Sequence, residues 1–339
     1  MERTKLMTAI LLTFVLLSVS ILCSCNGSAS YPKATEFKGE AVKNPYDNLR
    51  SGGNLTYVDG ELFLNKILGD VNFSGTYRVT DSSCERILKG GSGVKIEEIM
   101  DLAPLLFQYD KQVYSIDHFD ASAVQKYDGA SGGFVDDDFD VKLYTPSEVY
   151  LSDDLAVWES NDNQVSYQYK DEKAEKIDDE YGYYVSGNKI YWQDYYGKLY
   201  VKDCSEKNSK SNFICKFKSE GMVLDFAVCG EYCYYISSNS YDSDIPSGLY
   251  HYSFESDEHK KLADWEPVCM IPYENKLYAT DGKKIYVDDG NKFNEFASVG
   301  TKELYVLDTK WLYTNNNNGE ILRIDLSDPE IIEKVLLDK

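Results

Sequence analysis

A repeat of about forty residues is the feature that most constrains this chain. One phrase recurs: a short apolar run, a two-residue polar turn, a second run with Tyr or Trp, a polar gap and a third run with Tyr. Its clearest copy is YYVSGNKIYWQDYYGKLYVKD at 183–203. Alignment of the copies gives one equivalent position to Phe63, Tyr114, Val157, Tyr191, Tyr234, Tyr278 and Leu312. Such a period indicates a chain built from stacked supersecondary units.

The pattern inside each copy is that of β-strands joined by tight turns. Apolar residues alternate or form short runs bounded by Gly, Asn and Asp, as in LYHYSF at 249–254 and EILRIDL at 320–326. One four-stranded sheet cannot bury both of its faces, whereas sheets packed radially cover one another. The sequence therefore predicts an all-β fold, a β-propeller of seven four-stranded blades. Six or eight blades remain alternatives, because the aligned residues are separated by as few as 34 and as many as 51 positions.

The first residues have the pattern of an export signal. Arg3 and Lys5 precede an apolar run from Ala9 to Leu22, which is short for a membrane span and typical of a secretory signal. The run ends in Leu22-Cys23-Ser24-Cys25, the spacing of the bacterial lipobox, in which the last Cys carries the lipid. An ordinary cleaved signal with an incidental Cys is the alternative.

This interpretation divides the chain into three parts. Residues 1–24 are predicted to be a lipoprotein signal peptide, and 25–53 the lipidated Cys25 with a polar, turn-rich, flexible tether. Residues 54–339 form the propeller domain. We expect a bacterial protein that is exported and attached through Cys25 to the outer face of the cytoplasmic membrane.

The repeated strands resemble a known group. A Leu/Ile-Tyr-Tyr/Trp strand followed by a Lys-Leu/Ile-Tyr strand occurs at 189–192 with 198–200, and again at 276–278 with 284–286. These motifs are similar to those of bacterial lipoproteins carrying a domain of unknown function that resembles the β-propeller of low-density lipoprotein receptor-related proteins. The resemblance covers roughly residues 54–339 and implies a propeller fold, without implying catalytic residues.

The net charge limits the possible partners. The chain has 35 Lys and Arg against 57 Asp and Glu, which gives a net charge of −22. Because a nucleic acid is a dense array of negative phosphates, such a surface would repel it. We therefore expect no nucleic-acid partner.

The cysteines suggest disulfides, since an exported protein meets an oxidising environment. Cys204 and Cys215 bracket a polar loop, and Cys229 and Cys233 bracket a tight turn, so the pairs Cys204–Cys215 and Cys229–Cys233 are predicted to form disulfides. The alternative is that these residues are thiols packed as small apolar side chains. Their spacing does not match a zinc site, and we predict no metal site.

No catalytic residue or cofactor is predicted. The three His residues are far apart in the sequence, and the GASGG segment at 129–133 matches the nucleophile-elbow motif without its flanking strand and helix. Asp136, Asp138 and Asp140 alternate, but the Gly and Glu of a calcium loop do not follow them.

The loops between the second and third strands of each copy are the predicted binding face, because recognition residues concentrate in loops on rigid scaffolds. These loops span 117–122, 159–164, 193–197, 237–248 and 314–319. The candidate binding residues are the flat Tyr195, Tyr196 and Tyr241 and the polar Asp194, Asp242, Asp244 and Asn316. We predict a non-catalytic binding module for a glycan, peptide or protein. An extracellular glycan hydrolase or lyase, and an accessory subunit of a membrane complex, are the alternatives.

Overall fold

The computed structural model describes only part of the chain, and every structural statement below concerns that part. It comprises residues 38–39, 55–58, 61–66, 75–79, 84–88, 105–109, 112–116, 124–137, 146–151, 154–160, 164–170, 173–177, 181–205, 209–220, 223–238, 245–290, 292–306, 310–316 and 321–334. All of these residues belong to the compact unit Phe37–Lys339.

The described residues form seven antiparallel sheets, each of four consecutive strands. The first sheet contains β1 (Leu55–Val58), β2 (Glu61–Lys66), β3 (Gly75–Val79) and β4 (Cys84–Leu88). The second contains β5 (Leu105–Tyr109), β6 (Gln112–Ile116), β7 (Val124–Asp128) and β8 (Gly133–Asp136). The third contains β9 (Pro146–Leu151), β10 (Leu155–Ser160), β11 (Val165–Tyr169) and β12 (Glu175–Lys176).

The remaining sheets follow the same order. The fourth contains β13 (Tyr183–Ser186), β14 (Lys189–Gln193), β15 (Lys198–Asp203) and β16 (Asn212–Lys216). The fifth contains β17 (Phe226–Cys229), β18 (Tyr232–Ser237), β19 (Gly248–Ser253) and β20 (Glu258–Ala263). The sixth contains β21 (Cys269–Tyr273), β22 (Lys276–Thr280), β23 (Ile285–Asp288) and β24 (Phe293–Ala297). The seventh contains β25 (Thr301–Val306), β26 (Trp311–Asn316), β27 (Ile321–Asp325) and β28 (Ile332–Lys334).

Burial falls from the first strand of a sheet to the fourth. In the fifth sheet every residue of β17 is buried, whereas the outer strand β20 has only exposed and half-buried side chains. The first strands also contact one another in chain order, as β1 with β5, β5 with β9, β13 with β17, β17 with β21 and β21 with β25. The first strands therefore lie innermost, which is the radial arrangement of a β-propeller.

Hydrophobic packing between neighbouring sheets forms the core. The third and fourth sheets share one cluster that includes Val157, Tyr167, Ile190 and Trp192. The sixth and seventh share another, which includes Tyr278 and Leu312. Removing the apolar faces of both sheets from water is what holds successive sheets together.

The sequence repeat and the sheets coincide. The seven residues that the alignment makes equivalent each lie in the second strand of a different sheet, and the described ones of the fourth, fifth and sixth sheets, Tyr191, Tyr234 and Tyr278, are at most 2% exposed. The prediction of an all-β propeller is confirmed.

The recurring Lys-Leu/Ile-Tyr strand has a structural explanation in the turn that precedes it. The hydroxyl of Tyr200 donates to Asp194 Oδ2 at 3.4 Å, and the hydroxyl of Tyr286 donates to Asp281 Oδ2 at 3.2 Å. In both sheets the same Asp accepts backbone N–H groups of its own turn. The third strand thus supports the turn that leads into it.

The predicted tether is not wholly separate from the sheets. Gly39 is buried, and a Cβ at this position would lie 2.6 Å from Val228 Cγ1 and 3.3 Å from Ser186 Oγ. Lys38 Nζ lies 2.6 Å from Glu231 Oε1. Residues 38–39, which fall within the predicted tether over 25–53, thus pack against the fourth and fifth sheets.

The other N-terminal predictions fall outside the described residues. These are the signal peptide at 1–24, Cys25 and the rest of 25–53. Within the ranges that the structure covers, no helix is both long and apolar enough to cross a bilayer.

Candidate functional site

Three exposed tyrosines form a cluster at one end of the fourth sheet. Tyr181 precedes β13, and Tyr195 and Tyr196 lie in the turn between β14 and β15; their side chains are 51%, 59% and 65% exposed. The ring of Tyr195 stands edge-on to both others, at 5.5 Å from Tyr181 and 5.6 Å from Tyr196. We call Tyr181, Tyr195 and Tyr196 the tyrosine cluster. Its faces and hydroxyls together suit contact with a ligand that is part apolar and part polar.

A turn built on Asp194 holds Tyr195 and Tyr196 in place. Asp194 Oδ1 accepts the backbone N–H groups of Tyr196 and Lys198, both at 2.9 Å, while Oδ2 accepts the Tyr200 hydroxyl. Gly197 adopts a φ of +72° and closes the turn. The carboxylate of Asp194, which the sequence suggested as a ligand contact, is thus engaged within its own turn. We assign it a turn-forming role.

Gln193 links the tyrosine cluster to the next sheet. This side chain is only 1% exposed, and its Nε2 donates to the carbonyl oxygens of Tyr181 at 3.1 Å and Val223 at 3.0 Å. In return, the N–H of Val223 donates to Gln193 Oε1 at 2.7 Å. The backbone N–H of Tyr181 donates to the Gln193 carbonyl at 3.0 Å. One buried amide therefore joins the segments that precede β13 and β17, the first strands of the fourth and fifth sheets.

The same link is made by another residue type two sheets later. Thr280 ends β22 as Gln193 ends β14, and its hydroxyl donates to the carbonyl of Thr301, the first residue of the next sheet, at 3.1 Å. A polar side chain at the end of a second strand thus fixes where the following sheet begins. The alignment does make Gln193 and Thr280 equivalent, but it does not reveal what their side chains bind.

The other predicted binding residues do not join the tyrosine cluster. Tyr241, Asp242 and Asp244 lie outside the described residues. Asn316 is half-buried at the end of β26, in the seventh sheet, where it pairs with Thr301. Tyr181 was not predicted, because binding residues were expected in the loops after the second strands, whereas Tyr181 precedes the first strand β13.

The predicted Cys204–Cys215 disulfide is not formed, and both residues are buried free thiols. Cys215 pairs with Leu199, so it is displaced from Cys204 by five residues along β15, or about 16 Å. A disulfide tolerates Cα separations of no more than about 7 Å. Burial raises the pKa of Cys204 to about 12. The apolar-packing alternative therefore describes these two residues.

The predicted Cys229–Cys233 disulfide is also wrong, for a different reason. Val228 pairs with Cys233, and Cys229 pairs with Tyr232. Because successive residues of a strand point to opposite faces, Cys229 and Cys233 lie on opposite faces of the fifth sheet. The Cys229 thiol instead donates to the Glu274 carbonyl of the sixth sheet, at 3.1 Å.

The described histidines pack against tyrosines of the fifth sheet, and the GASGG segment forms a turn. His259 Nδ1 is 2.8 Å from the Tyr235 hydroxyl, and burial lowers the pKa of His259 to about 4, with a smaller effect from the charge of Lys218. His251 is buried and stacks on Tyr232, with ring centroids 4.6 Å apart. Ser131 lies in the turn between β7 and β8. Over the part of the chain described here, no group of three His, Cys, Asp or Glu side chains could hold a metal ion.

Comparison with known proteins shows the fold. No known family and no curated protein matches the chain. Among solved structures it is similar to YCF48 bound to D1 peptide, with a TM-score of 0.52 at 8% identity, over 84% of this chain and 94% of that one. It is also similar to a chain of the mitotic checkpoint complex, with a TM-score of 0.51 at 9% identity, over 84% and 91%. A puromycin-hydrolysing peptidase of Mycobacterium tuberculosis gives a TM-score of 0.51 at 10% identity, over 88% of this chain but 55% of the peptidase. At such identities the likeness shows a shared β-propeller fold and nothing more.

Proposed function

We propose that this chain is a non-catalytic binding module that recognises a protein or peptide through the tyrosine cluster. The observation that carries the proposal is that three large aromatic side chains are exposed together. Tyr195 and Tyr196 lie on a turn held by Asp194, and the backbone of Tyr181 is held by the Gln193 side chain. Rigid, flat and amphipathic side chains bind with little loss of conformational entropy. That one similar propeller is described as bound to a peptide supports this choice. A glycan remains the other ligand to be tested.

Replacing Tyr195 and Tyr196 together by Ala should weaken capture of the partner from a cell-envelope extract at least about tenfold. Aromatic side chains that a partner covers on binding contribute a large share of the binding free energy. The melting temperature should change little, because both side chains are exposed. Quantitative mass spectrometry of what the immobilised protein retains would measure capture of proteins and peptides. A glycan array would measure capture of glycans.

The matched control is a double replacement of Ile331 and Ile332 by Ala, since both are apolar and 43% exposed but lie at the start of β28, away from the fourth sheet. The control should capture the partner normally. Normal capture by the tyrosine variant would refute the proposal.

We also propose that the seven sheets are the blades of a closed ring, in which the seventh sheet packs against the first. The contacts between successive first strands support this arrangement. It would place the turns that follow each second strand on one face, with the tyrosine cluster among them.

We propose in addition that the protein is attached to the membrane of a bacterium, outside the cytoplasm. This proposal rests on the sequence of residues 22–25. A labelled fatty acid fed to producing cells should mark the wild type and the Cys23→Ser variant, but not Cys25→Ser. Only Cys25 has an apolar residue three positions before it and a small residue directly before it. Equal labelling of the wild type and Cys25→Ser would contradict lipid attachment at this residue.

A further inference from the structure

Three exposed apolar side chains occupy equivalent positions in three successive sheets. Tyr181, Leu224 and Val268 each precede a first strand, and their backbone N–H groups donate in the same way. The acceptors are the carbonyls of Gln193 at 3.0 Å, Ile236 at 3.0 Å and Thr280 at 2.8 Å. These acceptors are themselves equivalent residues of the second strands. We call Tyr181, Leu224 and Val268 the apolar arc.

The arc follows one end of the innermost strands. β13 contacts β17, and β17 contacts β21, so the three residues that precede these strands lie in sequence along the same face. Leu224 is 65% exposed and Val268 is 53% exposed. Their backbone groups already make the hydrogen bond that the position requires, so the fold does not need large apolar side chains here.

Exposed apolar side chains concentrate at this place. In the described part of the chain nine large apolar side chains are exposed, and five of them belong to the arc or to the adjoining Tyr195 and Tyr196. Contiguous exposed apolar surface in a folded protein indicates an interaction site, whereas scattered single residues do not. The arc ends at the seventh sheet. There the carbonyl of Thr301 accepts the hydrogen bond from Thr280, as the carbonyl of Val223 accepts the one from Gln193. The next residue, the exposed Lys302, is therefore equivalent to Leu224.

We propose that the apolar arc seats an extended, positively charged polypeptide segment of a protein partner, whose apolar side chains pack on Leu224 and Val268. This inference rests on the proposed binding function and specifies its ligand. Aliphatic side chains offer neither a flat ring nor a hydrogen-bonding group, so a sugar placed on them would lose hydrogen bonds to water without replacement. A peptide can place apolar side chains there while its backbone stays hydrated.

Charge selects the kind of peptide. The chain has a net charge of −22, Asp225 follows Leu224 directly, and the exposed Glu266 lies two residues before Val268. A cationic segment is attracted to such a surface, and an acidic one is repelled. The partner is therefore expected to combine Lys or Arg with regularly placed apolar residues.

The test uses two pools of short synthetic peptides that share the same apolar residues. In one pool these alternate with Lys and Arg, and in the other with Asp and Glu; a neutral glycan pool is the third probe. Fluorescence anisotropy should show that the wild type binds the cationic pool. A Leu224→Ser, Val268→Ser variant should bind it at least about tenfold more weakly, and Lys302→Ser should bind it no less tightly than the wild type.

Unchanged melting temperatures would show that the variants fold. Equal binding by the double serine variant, preference for the acidic or glycan pool, or no binding to any pool would overturn the inference. These failures are distinguishable from failure of the proposed function. If replacing Tyr195 and Tyr196 abolishes capture of the partner while the double serine variant captures it normally, the binding function stands and the arc is not its site.

Discussion

Replacing Gly248 by Ala should lower the free energy of unfolding by about 3 kcal/mol or more. Gly248 begins β19 with a φ of +139°, a conformation that side-chain-bearing residues rarely adopt. An added Cβ would lie 2.2 Å from the carbonyl oxygen of Ala263 and 3.0 Å from Lys261 Cε. Because the oxygen belongs to the backbone of β20, it cannot rotate away, and the two strands must separate.

A matched control lies at the start of another strand. Gly133 begins β8, its φ lies outside the left-handed region, and a Cβ there would meet no atom within 4 Å. Gly133→Ala should therefore change stability by no more than about 1 kcal/mol. Urea unfolding followed by tryptophan fluorescence measures both variants. Similar midpoints for the two would show that the backbone at Gly248 is not constrained in this way.

Replacing Gln193 by Ala should cost about 2–4 kcal/mol of stability. The substitution removes the hydrogen bonds to Tyr181 and Val223 and leaves the backbone groups of the buried Val223 without their partner. Since the same amide holds the backbone of Tyr181 in place, we also expect weaker capture of the partner. The loss of stability should appear as a lower urea midpoint in equilibrium unfolding.

Gln168→Ala is the appropriate control for this substitution. Gln168 is a half-buried glutamine whose side chain donates an exposed hydrogen bond to Lys170. Its replacement should change stability by no more than about 0.5 kcal/mol. If Gln193→Ala were equally mild, the link between the fourth and fifth sheets would have to depend on packing, and not on the buried amide.

Strand positions could be predicted because the repeat is strong in the second and third strands. The predicted loops after the second strands do not include the turn at 281–284, which lies between β22 and β23. A pair of lysines does not mark a strand boundary. What identifies the turn is Asp281, whose carboxylate accepts the N–H groups of Lys283 and Lys284.

The candidate site was only partly predictable. Tyr195 and Tyr196 stand in a short Gly-containing turn, so their exposure follows from local sequence. The exposure of Leu224 does not, because it depends on where the adjoining sheets end. An aliphatic residue just before a buried strand is usually assigned to the core.

The cysteines show how register defeats arguments from spacing. Cys204 and Cys215 bracket a loop in the sequence, but the pairing of β15 with β16 shifts between Leu199 and Tyr200, and Cys215 lies opposite Leu199. Spacing gives the number of residues between two thiols. It does not give the strand positions that face each other.

Every described sheet consists of four strands that are consecutive in the chain, and the last sheet borrows no strand from the first. A segment that encodes one repeat is therefore also one whole sheet, with its own first and last strand. Duplication or loss of such a segment in the gene would insert or remove an intact structural unit without cutting a sheet in two. In the closed ring that we propose, each such event would also change the circumference of the face on which Tyr181, Leu224 and Val268 lie.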